Sequence, residues 1–515
     1  MPAPFRPRAA ALALTAVLLS APLAGCGGDE DKDEDLTQQE LSWEECPDPS
    51  EAQGGGNAPS PLPDDGEWQC ATMKVPLDWD EPRGDTIELA LIRVRTTGEP
   101  NRRIGSLVFN FGGPGGSGVT TLPAFGEDYA KLRTRYDLVS FDPRGVGRSA
   151  PVICENDQQL DAYFQQDATP DDAAERTEYV AGTEEFNEAC EERSRKMLPH
   201  VRTTDAARDL DLMRRVLGDD KLHYFGVSYG TELGGVYAHL FPRNVGRAVF
   251  DAVVDPTQTP EQGSLAQAKG FQLALDNFAE DCVSQAEDCP IGDSAQDVKD
   301  RIARLLEELE DRPLPGVFPR ELTQTAATGG IAQALYSKEF WAYLTDGLQQ
   351  AYAGDGRTLM LLADSLNGRS ENGEYSNLVA ANVAINCADD RPRYDVAYVQ
   401  RRLPEFRAAS ELFGEFLAWS MLSCTGWPVA GAADHPDVSA PGAPPILVIG
   451  NTGDPATPYE GARKMARELG EGVGVELTYR GQGHGAYDSG NTCVRDAVDG
   501  YLLDGKVPAP GTVCE

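Results

Sequence analysis

The sequence predicts an α/β fold: a mostly parallel sheet with helices on both faces and a large helical insertion. Three observations predict it. Short apolar runs such as Leu107-Val108-Phe109, Tyr136 to Phe141 and Pro445 to Gly450 alternate with helix-like segments, the pattern of parallel strands covered on both faces. Glycine-rich turns follow several of these runs, where a strand hands over to the next element. From about 257 to 440 strand signals become sparse while helical periodicity continues.

Composition bounds the rest. The chain has 515 residues, 41% of them hydrophobic, enough for one large domain with insertions or for two. A net charge of −38 excludes a phosphate backbone as partner, so no nucleic acid is expected. Residues 1–25 read as a signal peptide. Arg6 and Arg8 precede an apolar run, Ala9 to Leu23, too short to span a bilayer comfortably. Leu23-Ala24-Gly25-Cys26 resembles a bacterial lipobox, which implies acylation of Cys26 as the first mature residue. The expectation is an exported protein, lipid-anchored on the outer face of the cell membrane or released to the medium.

Setting Cys26 aside leaves ten cysteines, an even number that reads as disulfides in an exported chain. Short loops close most easily, so sequence neighbours are expected to pair: Cys46–Cys70, Cys154–Cys190, Cys282–Cys289, Cys387–Cys424 and Cys493–Cys514. No Cys-X-X-Cys or histidine cluster occurs, so neither a metal nor another cofactor is expected.

In order, residues 26–40 are acidic and read as a solvated tether. The sheet domain is expected over 41–256 and 441–515, with the insertion at 257–440. Residues 51–66 are rich in glycine and proline, a loop. Ala71 to Val75 and Thr86 to Thr96 have β-branched, partly alternating character. Residues 155–218 look helical, and helices are expected at Gln262 to Glu280, Ala295 to Leu309 and Ile331 to Ala353. Strands return at Ile446 to Gly450 and Val475 to Tyr479.

The chemistry centres on Gly226-Val227-Ser228-Tyr229-Gly230. An apolar run precedes it, and a helix-like run from Thr231 to Phe241 follows. Strand, Gly-X-Ser-X-Gly, helix is the layout of a nucleophile elbow. A serine nucleophile needs a base. Of five histidines, His484 alone follows a sheet strand within a glycine-rich loop, Gly481-Gln482-Gly483-His484-Gly485. His223 and His239 fall inside a strand and a helix, and His200 and His435 have no flanking strand. A carboxylate must orient the base. Asp454 follows the Ile446 strand in Gly453-Asp454-Pro455 and ranks above Asp488 and Asp496, which follow no strand. Donors for a developing oxyanion are expected from the Tyr229 amide and from the Gly112/Gly113 loop. Asp142 and Arg144, in a charged turn after a strand, read as loop braces.

Gly112 to Gly118, Asp142 to Ser149, Gly226 to Gly230 and the Asp454/His484 pair resemble the proline-iminopeptidase branch of the α/β-hydrolases. Val75-Pro76-Leu77-Asp78-Trp79, Cys387-Ala388-Asp389, Cys424-Thr425-Gly426-Trp427-Pro428 and Gly483-His484-Gly485 through Cys493 resemble its exported tripeptidyl-aminopeptidase subgroup. The resemblance covers about 41 to 515. It implies a serine exopeptidase that releases short peptides from a free N-terminus. Phe111 departs from the histidine that many relatives carry before Gly-Gly-Pro-Gly. A substrate ammonium would need carboxylates, and Asp389 and Glu232 are the candidates. An esterase on the same scaffold is the alternative activity.

Overall fold

The computed structural model describes residues 35–285 and 289–515. The signal peptide, Cys26 and most of the expected tether lie outside the described residues. The tether's last residues are built into the fold: Leu36–Gln38 forms a 3₁₀ turn, and the Gln39 side chain brackets the backbone of Lys74.

Ten strands form one sheet. They are β1 (Glu44–Glu45), β2 (Trp68–Pro76), β3 (Thr86–Val94), β4 (Gly105–Asn110), β5 (Tyr136–Phe141), β6 (Leu222–Val227) and β7 (Val245–Asp251), then, beyond a small hairpin of β8 (Leu314–Pro315) and β9 (Glu321–Leu322), β10 (Ile446–Gly453), β11 (Gly474–Gln482) and β12 (Thr512–Cys514). The order is β1-β2-β3-β5-β4-β6-β7-β10-β11-β12. The first three strands pair antiparallel, and every pairing from β5 to β12 is parallel. Helices cover both faces, as parallel strands require. Every residue of β4 is buried, which explains its unbroken apolar reading.

Register brings the carboxyl ends of the central strands to one edge. Asn110 lies beside Gly226, Val227 beside Asp251, and Gly453 beside Gln482. Ligands of open α/β sheets sit outside this edge.

Between β7 and β10 the chain is mainly helical, with Pro260–Gln285, Ala295–Asp311, Gln324–Leu335, Trp341–Tyr352, Arg357–Asn367, Leu378–Asp389 and Val396–Ala409 as its main helices. Much of this stretch has its own core around Phe271, Phe278, Ile331 and Trp341. Helix Leu378–Asp389 differs: its Ala381, Ala384 and Cys387 share the sheet's core with Met73, Leu210 and Tyr229. Asp35–Glu515 forms one compact unit.

The expected helix over 331–353 is divided. Leu335 ends one helix, and Ser337 starts a 3₁₀ turn by accepting the Glu339 amide. The break turns the Tyr336 carbonyl toward the His484 amide, 2.6 Å away. All five expected disulfides are formed. No helix among the described residues is long and apolar enough to cross a membrane.

Candidate active site

Ser228 sits between β6 and helix Tyr229–Leu240 with φ 58° and ψ −127°, a conformation costly for a residue with a Cβ. Its neighbours must be glycine. A Cβ on Gly226 would lie 2.4 Å from the Gly230 carbonyl oxygen, and one on Gly230 would lie 2.4 Å from that of Asn110. Helix and strand therefore close tightly around the serine, which is held out at the sheet edge.

Asp454 follows β10 and is buried. Its Oδ1 accepts the amides of Ala456 and Thr457, both at 2.9 Å. The Thr457 hydroxyl donates to Oδ2 at 2.9 Å. Fixed in this way, the carboxylate accepts from His484 Nδ1 at 2.9 Å. That bond leaves Nε2 as the proton acceptor, the tautomer a general base requires. Burial pulls the imidazole's pKa down, but the charge and hydrogen bond of Asp454 outweigh it and leave it above its ordinary value. The Tyr336 ring packs edge-on against His484, centroids 5.2 Å apart, and Asn451 donates to the Gly483 carbonyl. The loop bearing the histidine is thus held from both sides. The Ser228 hydroxyl is not hydrogen-bonded to His484, a contact that in serine hydrolases tightens around the substrate.

Asp251, which the sequence reading missed, ties the two halves together. Its carbonyl accepts the Ser228 amide at 3.1 Å. Its buried carboxylate accepts the amides of Ala486, at 3.0 Å to each oxygen, and Tyr487, at 2.9 Å. A charged residue closing the apolar run Ala248-Val249-Phe250 was the available signal.

Of the expected oxyanion donors, Tyr229 lies in the first helical turn, where N–H groups have no intrahelical partner. The Gly112 loop abuts it: a Cβ on Gly112 would stand 2.8 Å from Ser228 Cβ and 3.1 Å from the Tyr229 nitrogen. The Gly112 amide donates to Asn110 Oδ1 at 3.1 Å. Phe111 stacks among Phe109, Phe125 and Tyr129.

The rival acids lie elsewhere: Asp488 accepts from the Tyr129 hydroxyl, and Asp496 faces Lys131. Arg144 and Asp142 brace loops, though not each other. Arg144 forms a fully buried pair with Asp209 and donates to the carbonyls of Pro76, Leu77 and His200. Asp142 accepts from the Ser117 hydroxyl, the Gln53 side chain and the amides of Val119 and Arg148. His223 is packed on Tyr136, and burial pushes its pKa down to about 4.

Glu232 lies one turn beyond Ser228, within the field of two more acids. Its carboxylate has no hydrogen-bond partner among the described residues. Burial, with the charges of Asp389 and Asp390, pushes its pKa up to about 8. Asp389 is raised to about 7 by burial, although it accepts from the Thr203 amide and hydroxyl. Asp390 is raised by burial to about 6. Asp389 therefore fixes Thr203, whose hydroxyl meets that of Tyr229 at 2.6 Å, while Glu232 is uncommitted.

Comparison with known proteins agrees with this geometry. The family model described as TAP-like protein matches residues 410–514. The serine protease Hip1 of Mycobacterium tuberculosis is 37% identical over 98% of this chain and 96% of its own. A tripeptidyl aminopeptidase of Streptomyces lividans is 34% identical over 92% of this chain and 86% of its own. A carboxylesterase B of M. tuberculosis is 36% identical over 87% and 86% respectively. The chain belongs to the tripeptidyl-aminopeptidase-like family of serine peptidases with the α/β-hydrolase fold.

Proposed function

We propose that the protein is an exported exopeptidase that cleaves near the free N-terminus of peptides through a Ser228–His484–Asp454 triad. In this reading Ser228 attacks the scissile carbonyl and His484 takes its proton, then returns it to the leaving amine. Asp454 stabilises the imidazolium, and the amides of Tyr229 and Gly113 receive the oxyanion. Water then releases the short peptide from the acyl-enzyme. The observation that carries the exopeptidase reading is Glu232, one helical turn from the nucleophile and without a hydrogen-bond partner among the described residues, in the field of Asp389 and Asp390. A substrate ammonium supplies the positive charge that Glu232 lacks. Export and lipid anchoring rest on the lipobox-like Leu23-Ala24-Gly25-Cys26 and are checked by palmitate labelling of the wild type against Cys26→Ser.

The test compares free and N-acetylated peptides of one sequence. Acetylation is expected to lower kcat/KM roughly a hundredfold or more, and Glu232→Gln to shrink that gap. Equal rates on both would overturn the reading. The carboxylesterase relative gives a second reading, ester hydrolysis. Short-chain esters turned over far faster than any free peptide would favour it.

A further inference from the structure

Tyr163, Asp167, Gly329 and Asn382 are among the residues that line a cavity of about 340 Å³. Two elements that touch the catalytic loops also form its walls. Helix Gln324–Leu335 contributes Ala326 and Gly329 to the cavity and continues into Tyr336, which packs on His484. Seven residues of helix separate Gly329 from Tyr336, about 10 Å. Helix Leu378–Asp389 contributes Val379 and Asn382. Asn382 donates to the Pro114 carbonyl at 3.0 Å, two residues beyond the glycine that abuts Ser228. One short loop thus joins a wall of the cavity to the nucleophile: a Cβ on Gly115 would lie 3.0 Å from the Asn382 nitrogen, and one on Gly112 2.8 Å from Ser228 Cβ.

Its chemistry is two-sided. Tyr163, Tyr179, Phe416 and Leu366 give it aromatic and aliphatic walls. Asp167 adds a carboxylate, of which Oδ1 accepts the Thr169 amide at 2.8 Å. Oδ2 is buried and has no hydrogen-bond partner among the described residues. Burying a carboxylate oxygen without a partner is costly. A long side chain with an apolar stem and a cationic tip satisfies both features, its methylenes along the rings and its charge on Asp167.

Resting on the peptidase reading above, we propose that this cavity is a side-chain specificity pocket and that Asp167 selects lysine or arginine close to the cleaved bond. The pocket deepens that reading by naming a substrate class: peptides with a basic residue near the cleaved bond.

The test is a peptide series that places lysine, arginine, norleucine or glutamate at each position near the cleaved bond. Wild type is expected to favour lysine or arginine over norleucine at one position by about tenfold or more in kcat/KM. Asp167→Asn collapses that preference, and Asp167→Lys turns it toward glutamate. Gly329→Leu provides a variant that keeps the carboxylate. A Cβ there meets only Leu366 at 3.6 Å and Ala363 at 3.9 Å, ordinary contact distances, and the larger side chain is expected to narrow the cavity and slow peptides with bulky side chains relative to alanine ones. No basic preference at any position would overturn the proposal, as would equal losses for lysine and norleucine in Asp167→Asn. Carboxylate oxygens of Asp167, Glu175 and Glu310 lie within 4.8 Å of one another. Activity lost to EDTA and restored by calcium would therefore assign Asp167 to a cation instead. Running the series with acetylated peptides separates the two readings, because side-chain preference survives there even if selection for a free N-terminus fails.

Discussion

The Ser228 amide donates to the Asp251 carbonyl, and the same residue's carboxylate holds the backbone two and three residues past His484. One residue at the end of β7, through its carbonyl and its carboxylate, thereby ties the Ser228 turn to the His484 loop. Asp251→Asn turns an NH₂ group toward amide donors and leaves at least one of them unsatisfied. kcat should fall by roughly tenfold to a hundredfold, the equivalent of one lost buried hydrogen-bond partner. KM should change little. Steady-state kinetics check this, and a variant with unchanged kcat would reduce Asp251 to scaffolding.

Ser228→Ala should abolish turnover and leave the fold intact, because only a hydroxyl at the sheet edge is lost. The expected loss is on the order of 10⁴ to 10⁶. His484→Ala should match it, and the double variant should be little worse than either single, since the residues act as a unit. Additive losses would contradict that unit.

The pH profile follows from the direction of the His484 shift. The base works only when neutral, and Asp454 raises its pKa above the ordinary value of about 6.5. Activity should therefore rise along an acid limb displaced to higher pH. Asp454→Asn removes the opposing charge, leaves burial to pull the pKa down, and should move the limb to lower pH while kcat falls on the order of 10⁴. A limb that stays in place would exclude His484 as the titrating group.

Glu232 titrates near pH 8, so its charged form gains population as pH rises toward that value. KM for free peptides should fall over the same range, until the substrate ammonium itself deprotonates at about pH 8. Acetylated peptides should show no such trend. Measuring KM for the two peptide sets from pH 6 to 8 checks this.

Arg144→Ala leaves the Asp209 carboxyl buried without its cation, since both side chains are fully covered. Breaking such a pair costs about 3–5 kcal/mol, and urea unfolding reads it directly. A loss under roughly 1 kcal/mol would mean that the pair is hydrated.

What the chain's local pattern revealed is what local physics controls. β4, β5 and the elbow were legible because their apolar runs and glycines act within a few residues. Asp454 and His484 were legible because each follows a strand end, and parallel strands place their ends together. Asp251 and Tyr336 were not, because the loop that both hold, around His484, is more than a hundred residues away from either. The Tyr336 break was hidden inside a run of good helix formers, and only the capping action of Ser337 and the approach of His484 reveal it. The bond from the Gly112 amide to Asn110, two residues back, was not foreseen, because it depends on how the loop turns and not on the order of residues. β12 is three residues long and closes on Cys514, too short for an alternation to show.

No disulfide spans more than 37 residues, and none encloses another's cysteines. A polypeptide threaded through a membrane amino end first would therefore meet each correct partner before the next cysteine pair emerges. Oxidation in order of emergence yields the native connectivity, with no reshuffling by an isomerase.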